Sequence, residues 1–296
     1  MGKSKTNLTR QILLNLLMII LSAAVVVPLL ILFSVSLSNE KDIINNGYKL
    51  IPQNLDLAAY KYVFSNPSSI LNAYGVTIFA SVMTMVLSVF LMAMVAYPLT
   101  RKDFKGRSFL SFYLYFTMLF SGGLVPTYIL ITRYLNLGDT IWVYILPSLI
   151  NPWYVFMMRT FFQGIPNEIS ESVFIDGGTD YTIFFRMILP LSKPVIAAVS
   201  LFMLLAKWND WFTALMYIND EKLISLQYLL QRIMQNIQLI QEGQQAGNVN
   251  LAAAADIPAE TVRMAMAVVV AGPALLVFPF FQKYFVKGMT VGSVKG

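Results

Sequence analysis

Six stretches of this chain are too long and too apolar for an ordinary soluble core. They run over about 11–37, 71–99, 108–132, 140–163, 194–218 and 262–286. A helix needs roughly 20 mostly apolar residues to cross a bilayer. Hydrocarbon offers the backbone no partners, so each span must satisfy its own N–H and C=O groups as a helix. Only 12% of the 296 residues are charged, against about 25% in soluble domains. The sequence therefore predicts an all-α membrane protein with six transmembrane helices. The first stretch is too long for a signal peptide and lacks its small-residue cleavage pattern, so it reads as a retained span.

An even number of spans puts both termini on one side. That side would hold the N-tail (1–10), the 100–107 loop, the 164–193 segment and the C-tail (287–296). It carries Lys3, Lys5, Arg10, Arg101, Lys102, Lys105, Arg107, Arg186, Lys193, Lys287 and Lys295, with Lys283 at the end of the sixth stretch. The opposite loops are longer, poorer in cations, and carry Glu40, Asp42, Asp56, Asp220, Glu221, Glu242, Asp256 and Glu260. By the excess of Lys and Arg in cytoplasmic loops, both termini are expected in the cytoplasm. The transmembrane domain then covers 11–291, with external segments at 38–69 and 219–261. Turn residues mixed with aromatics in 38–69 predict a small ordered cap.

The chain contains no cysteine and no histidine. Disulfides, thiolate chemistry, the usual zinc ligand and the common near-neutral proton relay are excluded together. No metal site and no catalytic residue is expected. Gly2-Lys3-Ser4 lacks the upstream glycine and strand of a phosphate-binding loop.

Residues 165–191, IPNEISESVFIDGGTDYTIFFRMILPL, form a polar island between two apolar segments. Pro166 and Glu168 suit a helix start, where a fixed φ and an early carboxylate match the positive end of the dipole. Ile169 and Val173 then share a face. Gly177 and Gly178 permit a sharp turn. Thr179 or Asp180 can cap a second short helix, Tyr181–Ile188. Two short helices meeting at a glycine elbow are expected, held just outside the membrane.

The string Glu171-Ser172-Val173, Asp176-Gly177-Gly178, Phe184, Leu189-Pro190-Leu191 and Pro194 resembles the EAA motif of bacterial ABC importer permeases. That pattern reads EAAxxDGAxxxxxFxxIxLPLxxP, commonly after IPxEL. Ser172, Val173 and Gly178 stand at alanine positions, and Met187 at an isoleucine. The six-span layout and the C-terminal KGMTVGSVKG are similar to the carbohydrate-uptake, MalG-like permeases. The N-terminal QILLNLLMIILSAAVVVPLLILFSVSLS and LFSGGLVPTYIL are similar to the complex-oligosaccharide subgroup.

The resemblance implies a type I ABC importer permease fold in a bacterial inner or plasma membrane, with 165–191 as the coupling-helix loop. Partners would be a cytoplasmic ATPase dimer, a second homologous permease and an extracytoplasmic solute-binding protein. ATP and magnesium would bind the ATPase, leaving this chain without a cofactor or a catalytic role. Glu171 would pair with a basic ATPase residue, and Gly177 would allow close backbone approach. Ile169, Val173 and Phe184 would supply apolar contact. Glu168, Asp176, Gly178, Leu189 and Pro190 complete the motif.

The fifth span ends in AKWNDWFTALMY. Lys207 and Asp210 are either a structural i,i+3 pair or part of a cavity wall. In the second reading Trp208 and Trp211 stack on sugar faces, and Asn209 and Asp210 bond hydroxyls. Gly122, Gly123 and Pro126 interrupt the third span, as a packing kink or as a pathway-lining bend near Tyr128. The 219–261 segment is a connection or the receiver of the binding protein. The function expected is translocation of a sugar or oligosaccharide. The alternatives are a permease for a non-sugar solute, an ion-coupled secondary transporter, and an intramembrane enzyme, for which Asp210 alone is insufficient.

Overall fold

The computed structural model describes residues 2–245 and 258–292. The middle of the expected external segment, 246–257, and the tail residues 293–296 lie outside the described residues. Among the described residues there is no strand, only one antiparallel bridge between Ser38 and Leu55.

In chain order the helices are α1 (Gly2–Ser36), α2 (Glu40–Asn46), α3 (Ala58–Val63), α4 (Pro67–Ala96), α5 (Arg107–Leu119), α6 (Leu124–Ile129), α7 (Trp142–Ile145) and α8 (Pro152–Gln163). They continue as α9 (Asn167–Ile175), α10 (Asp180–Ile183), α11 (Leu189–Leu191), α12 (Lys193–Trp208), α13 (Phe212–Tyr217), α14 (Leu226–Gln245) and α15 (Ala259–Gly292). Among the described residues three helical stretches are long and apolar enough to cross a membrane: Arg10–Ser36, Pro67–Thr100 and Ala259–Gln282. Two bent pairs raise the number to five.

The breaks have local causes. Between α5 and α6 the chain bends by 114°, at Gly123, whose φ of 86° is open only to a residue without a Cβ penalty. The stretch 140–163 is not one helix. Pro147 removes a backbone donor, and Asn151 before Pro152 is held extended, with φ −114° and ψ 113°. Its side chain then caps α8 by accepting from Trp153 N at 3.0 Å. The 194–218 stretch stops at Asn209 and restarts as α13.

The chain divides into two compact units. One comprises Met1–Pro67 and Arg232–Gly272, the other Ser68–Gln231 and Pro273–Gly296. In the first, 38–66 carries α2 and α3 and is tied together by its own hydrogen bonds. Asn39 caps α2 through Lys41 N and donates to Asp56 at 2.9 Å. Glu40 accepts from Glu260 N, Thr261 N and Thr261 Oγ1 at 2.7–2.9 Å. One carboxylate thereby satisfies two of the otherwise unpaired backbone donors at the start of α15. Along α1, the most apolar stretch has no residue buried within the chain.

In the second unit, α4 turns Ala73, Thr77, Ala80, Ser81, Thr84, Ser88 and Ala96 inward. Small residues let helix backbones approach closely where hydrocarbon supplies no hydrophobic drive. One core cluster joins Met92 and Leu99 to Met158, Phe162, Val173, Phe184, Ile188 and Val199. A second gathers Ile131, Val143, Tyr144, Ile145, Tyr217 and Ile224. The root of the 219–261 segment is fastened here. Asp139 accepts from Asn219 and Asp220, Tyr144 donates to Leu223 O, and Leu226 N donates to Thr77.

Candidate functional site

The 165–191 island folds as two short helices joined at a glycine elbow. Successive residues of α9 step about 100° around its axis, so Glu168, Glu171, Ser172 and Ile175 share one face, and Ser170 and Val173 the opposite one. Burial follows that division. Ile175 is 86% exposed while Ser170 and Val173 are 7% and 8% exposed. Glu168, Glu171 and Asp176 are exposed, and among the described residues none of their side chains has a hydrogen bond or ion pair. Ile169 is half-buried.

At the elbow Gly177 has φ 78°, with open space where a Cβ would stand. Gly178 is the crowded one. A Cβ there would lie 2.9 Å from Val173 O and still closer to the Val173 side chain. Its N–H donates to Val173 O at 2.8 Å. Beyond the elbow, α10 widens into a five-residue-spaced turn over Phe184–Ile188 before α11. Pro190 supplies no N–H to the preceding turn, which favours this looser ladder. Leu189 and Pro190 thus precede the 76° bend between Asp180–Leu191 and Lys193–Trp208.

Val173 and Phe184 are not available for contact with another protein. Both are in the core, Phe184 packing on Tyr97 with ring centroids 5.3 Å apart. Their apolar surface anchors the island to α4, α8 and α12. The apolar groups left outside are Phe174, Ile175, Tyr181, Phe185 and Leu191.

Asp180 does not cap α10 with its side chain. It accepts from Tyr97 OH and Arg101 Nη2, both at 2.8 Å. Burial pushes its carboxyl up, but Arg101 and Tyr97 outweigh it and hold it below the usual carboxylate range. The Arg101 guanidinium also lies 5.3 Å from the Tyr97 ring centroid and 5.4 Å from that of Phe174. The 100–107 loop thereby grips both arms of the elbow. Two short polar loops distant in sequence gave no signal of this contact.

At the end of α12 the Lys207–Asp210 pair forms, Nζ to Oδ2 at 2.7 Å, with both side chains nearly buried. Asp210 also accepts from Thr213 N at 3.0 Å and Thr213 Oγ1 at 2.7 Å. Its carboxylate thus holds Lys207 and starts α13. Trp208 is 6% exposed and packs near Tyr74, so its face is not presented for stacking. Asn209 and Trp211 are exposed, as are Gly122 and Gly123 at the α5–α6 break. Tyr128 is 40% exposed and stacks on Tyr217, centroids 5.6 Å apart.

Residues 90–291 match the family described as "Binding-protein-dependent transport system inner membrane component". The chain belongs to this family. The permease is 40% identical over 271 residues to the polygalacturonan/rhamnogalacturonan transport system permease protein YtcP of Bacillus subtilis, covering 92% of this chain and 93% of that one. It is 30% identical over 298 residues to the arabinooligosaccharides transport system permease protein AraQ of Halalkalibacterium halodurans, covering 99% and 100%. Among solved structures it resembles a bacterial ABC transporter involved in import of the acidic polysaccharide alginate. The TM-score is 0.81 at 28% identity, over 95% of this chain and 98% of that one. The permease accordingly has the ABC importer permease fold and is a non-catalytic membrane component.

Within the permease, Val173 and Gly178 touch across the elbow. The larger side chain at one is matched by loss of the Cβ at the other. Gly178→Ala is therefore expected to overpack the elbow, at roughly 1–3 kcal/mol. Adding Val173→Ala should recover part of that, leaving the 2.9 Å approach to Val173 O to relax. Thermal unfolding of both variants checks this; equal stability of Gly178→Ala and the parent would refute the packing account.

Proposed function

We propose that this chain is one transmembrane subunit of an ATP-driven importer, translocating a sugar or oligosaccharide delivered by an extracytoplasmic binding protein. It has six spans with both termini in the cytoplasm, pairs with a second permease and docks on an ATPase dimer that binds ATP and magnesium. The third, fourth and fifth spans are interrupted ones, with their breaks at Gly122-Gly123, Leu146–Asn151 and Asn209–Trp211. The island 165–191 is the coupling element. The observation that carries the reading is the division of α9. Its inner face is sunk in the core while Glu168, Glu171 and Ile175 stand outside without partners. Movement of an attached ATPase would therefore reach α4, α8 and α12 through Val173 and Phe184 as a rigid lever.

In this reading Asn209, Trp211, Tyr128 and the Gly122-Gly123 break are the pathway groups, and Trp208 and Asp210 are their supports. The carbohydrate cargo is supported by the sugar transport named for the relatives. The test is purification from native membranes, followed by ATPase assays with the binding protein and galacturonan, rhamnogalacturonan and arabinan oligosaccharides. An ATPase should co-purify and one oligosaccharide class should stimulate it. Purification of the chain without any ATPase, with uptake that needs no ATP, would overturn the proposal.

A further inference from the structure

Between the 100–107 loop and the start of α9 lies a cavity of about 240 Å³. Arg101, Lys102 and Arg107 line it, with Gln163, Asn167 and Ser170, and no carboxylate does. Arg101 is engaged by Asp180, but among the described residues the side chains of Lys102 and Arg107 have no ion pair or hydrogen bond. Asp103 of the same loop lines a different cavity. Ser170, which lines the cavity, is only 7% exposed, and its hydroxyl has no partner among the described residues. Arg107 also opens α5, with no acidic residue in that first turn. A cation there opposes the helix dipole. Concentrated positive charge, a serine hydroxyl without a partner and a helix N-terminus together make a site for an anion.

We propose that this cavity binds a phosphate group, supplied by the headgroup of an anionic phospholipid of the cytoplasmic leaflet. The inference rests on the cytoplasmic placement of this face given above. Ser170 lies on the side of α9 opposite Glu168, Glu171 and Ile175, so the site is behind the coupling surface rather than on it. Phe162 and Ile188 give the cavity an apolar wall suited to the first carbons of a lipid's acyl chains. Clustered cations at a cytoplasmic membrane surface attract such lipids. A bound headgroup would fasten the 100–107 loop to the base of α9.

The test uses the assembled importer in phosphatidylcholine nanodiscs doped with phosphatidylglycerol, with retained lipids counted by native mass spectrometry. The parent complex should hold phosphatidylglycerol, and Arg107→Gln should reduce its occupancy about tenfold or more. Ser170→Asp, which places a carboxylate in the cavity, should displace the lipid equally while the complex melts no lower than the parent. Lys193→Gln, an exposed cation outside the cavity, should change nothing. Undiminished retention in Arg107→Gln and Ser170→Asp would overturn the proposal. So would binding of inorganic phosphate with phosphatidylglycerol excluded, or loss of the anion only when the ATPase is stripped away, which would assign the site to an ATPase carboxylate. Retention of phosphatidylglycerol by a chain that binds no ATPase would sink the coupling reading and leave this site standing.

Discussion

Glu171→Ala is expected to stop ATP-driven uptake while leaving the permease folded and its binding protein able to dock. The side chain stands on the outer face of α9 and has no partner among the described residues. Its removal therefore breaks nothing inside the chain. What it removes is a carboxylate available to a cation on the ATPase. Truncating one member of a hydrogen-bonded interfacial charge pair costs roughly 2–5 kcal/mol, at least about 30-fold in affinity. Glu168→Ala is a useful contrast, because Glu168 is also the acidic residue in the first turn of α9. Its loss should carry a small folding cost of about 0.3–1 kcal/mol. Co-purification of the ATPase and ATP-dependent uptake in vesicles would be measured for both variants. Uptake at the parent rate in Glu171→Ala would remove the basis for a coupling role.

The island was legible in the sequence because its punctuation is local. Pro166, Glu168, the glycine pair and Pro190 each act on the backbone within a turn or two, and each marks a boundary that the structure contains. The apolar segments were legible as hydrophobic, but their continuity was not. Hydropathy does not register that Asn151-Pro152 starts a new helix, or that Asp210 starts one after Asn209. Those breaks depend on single hydrogen-bonding side chains inside otherwise apolar runs. Helical spacing grouped Ile169 with Val173, yet could not say which side of α9 faced the chain. Tertiary packing decided that, and turned Val173 and Phe184 from contact residues into anchors. The Arg101–Asp180 contact joins residues 79 apart in sequence, so no local pattern could reveal it.

Asp210 distinguishes a fastening role from a sugar-binding role more sharply than any other residue near the pathway. Asp210→Ala leaves the Lys207 ammonium nearly buried with no counter-charge and frees the Thr213 N–H that the carboxylate accepts. Removing one partner of a buried ion pair costs roughly 3–5 kcal/mol, chiefly because the remaining charge stays desolvated. A large drop in thermal stability is therefore expected. Asp210→Asn retains an amide oxygen for Thr213 N and should lose less, since only the charge pairing goes. Combining Asp210→Asn with Lys207→Met removes both charges and should recover most of the stability, as paired replacement of buried ions commonly does. A sugar-binding role predicts another pattern. Asp210→Ala would then fold and assemble normally yet fail to transport, and Lys207→Met would rescue nothing. Comparing unfolding temperature with uptake across these variants separates the two. Parent-like stability of Asp210→Ala with lost uptake would return Asp210 to the substrate pathway and leave the α12–α13 break without its fastening.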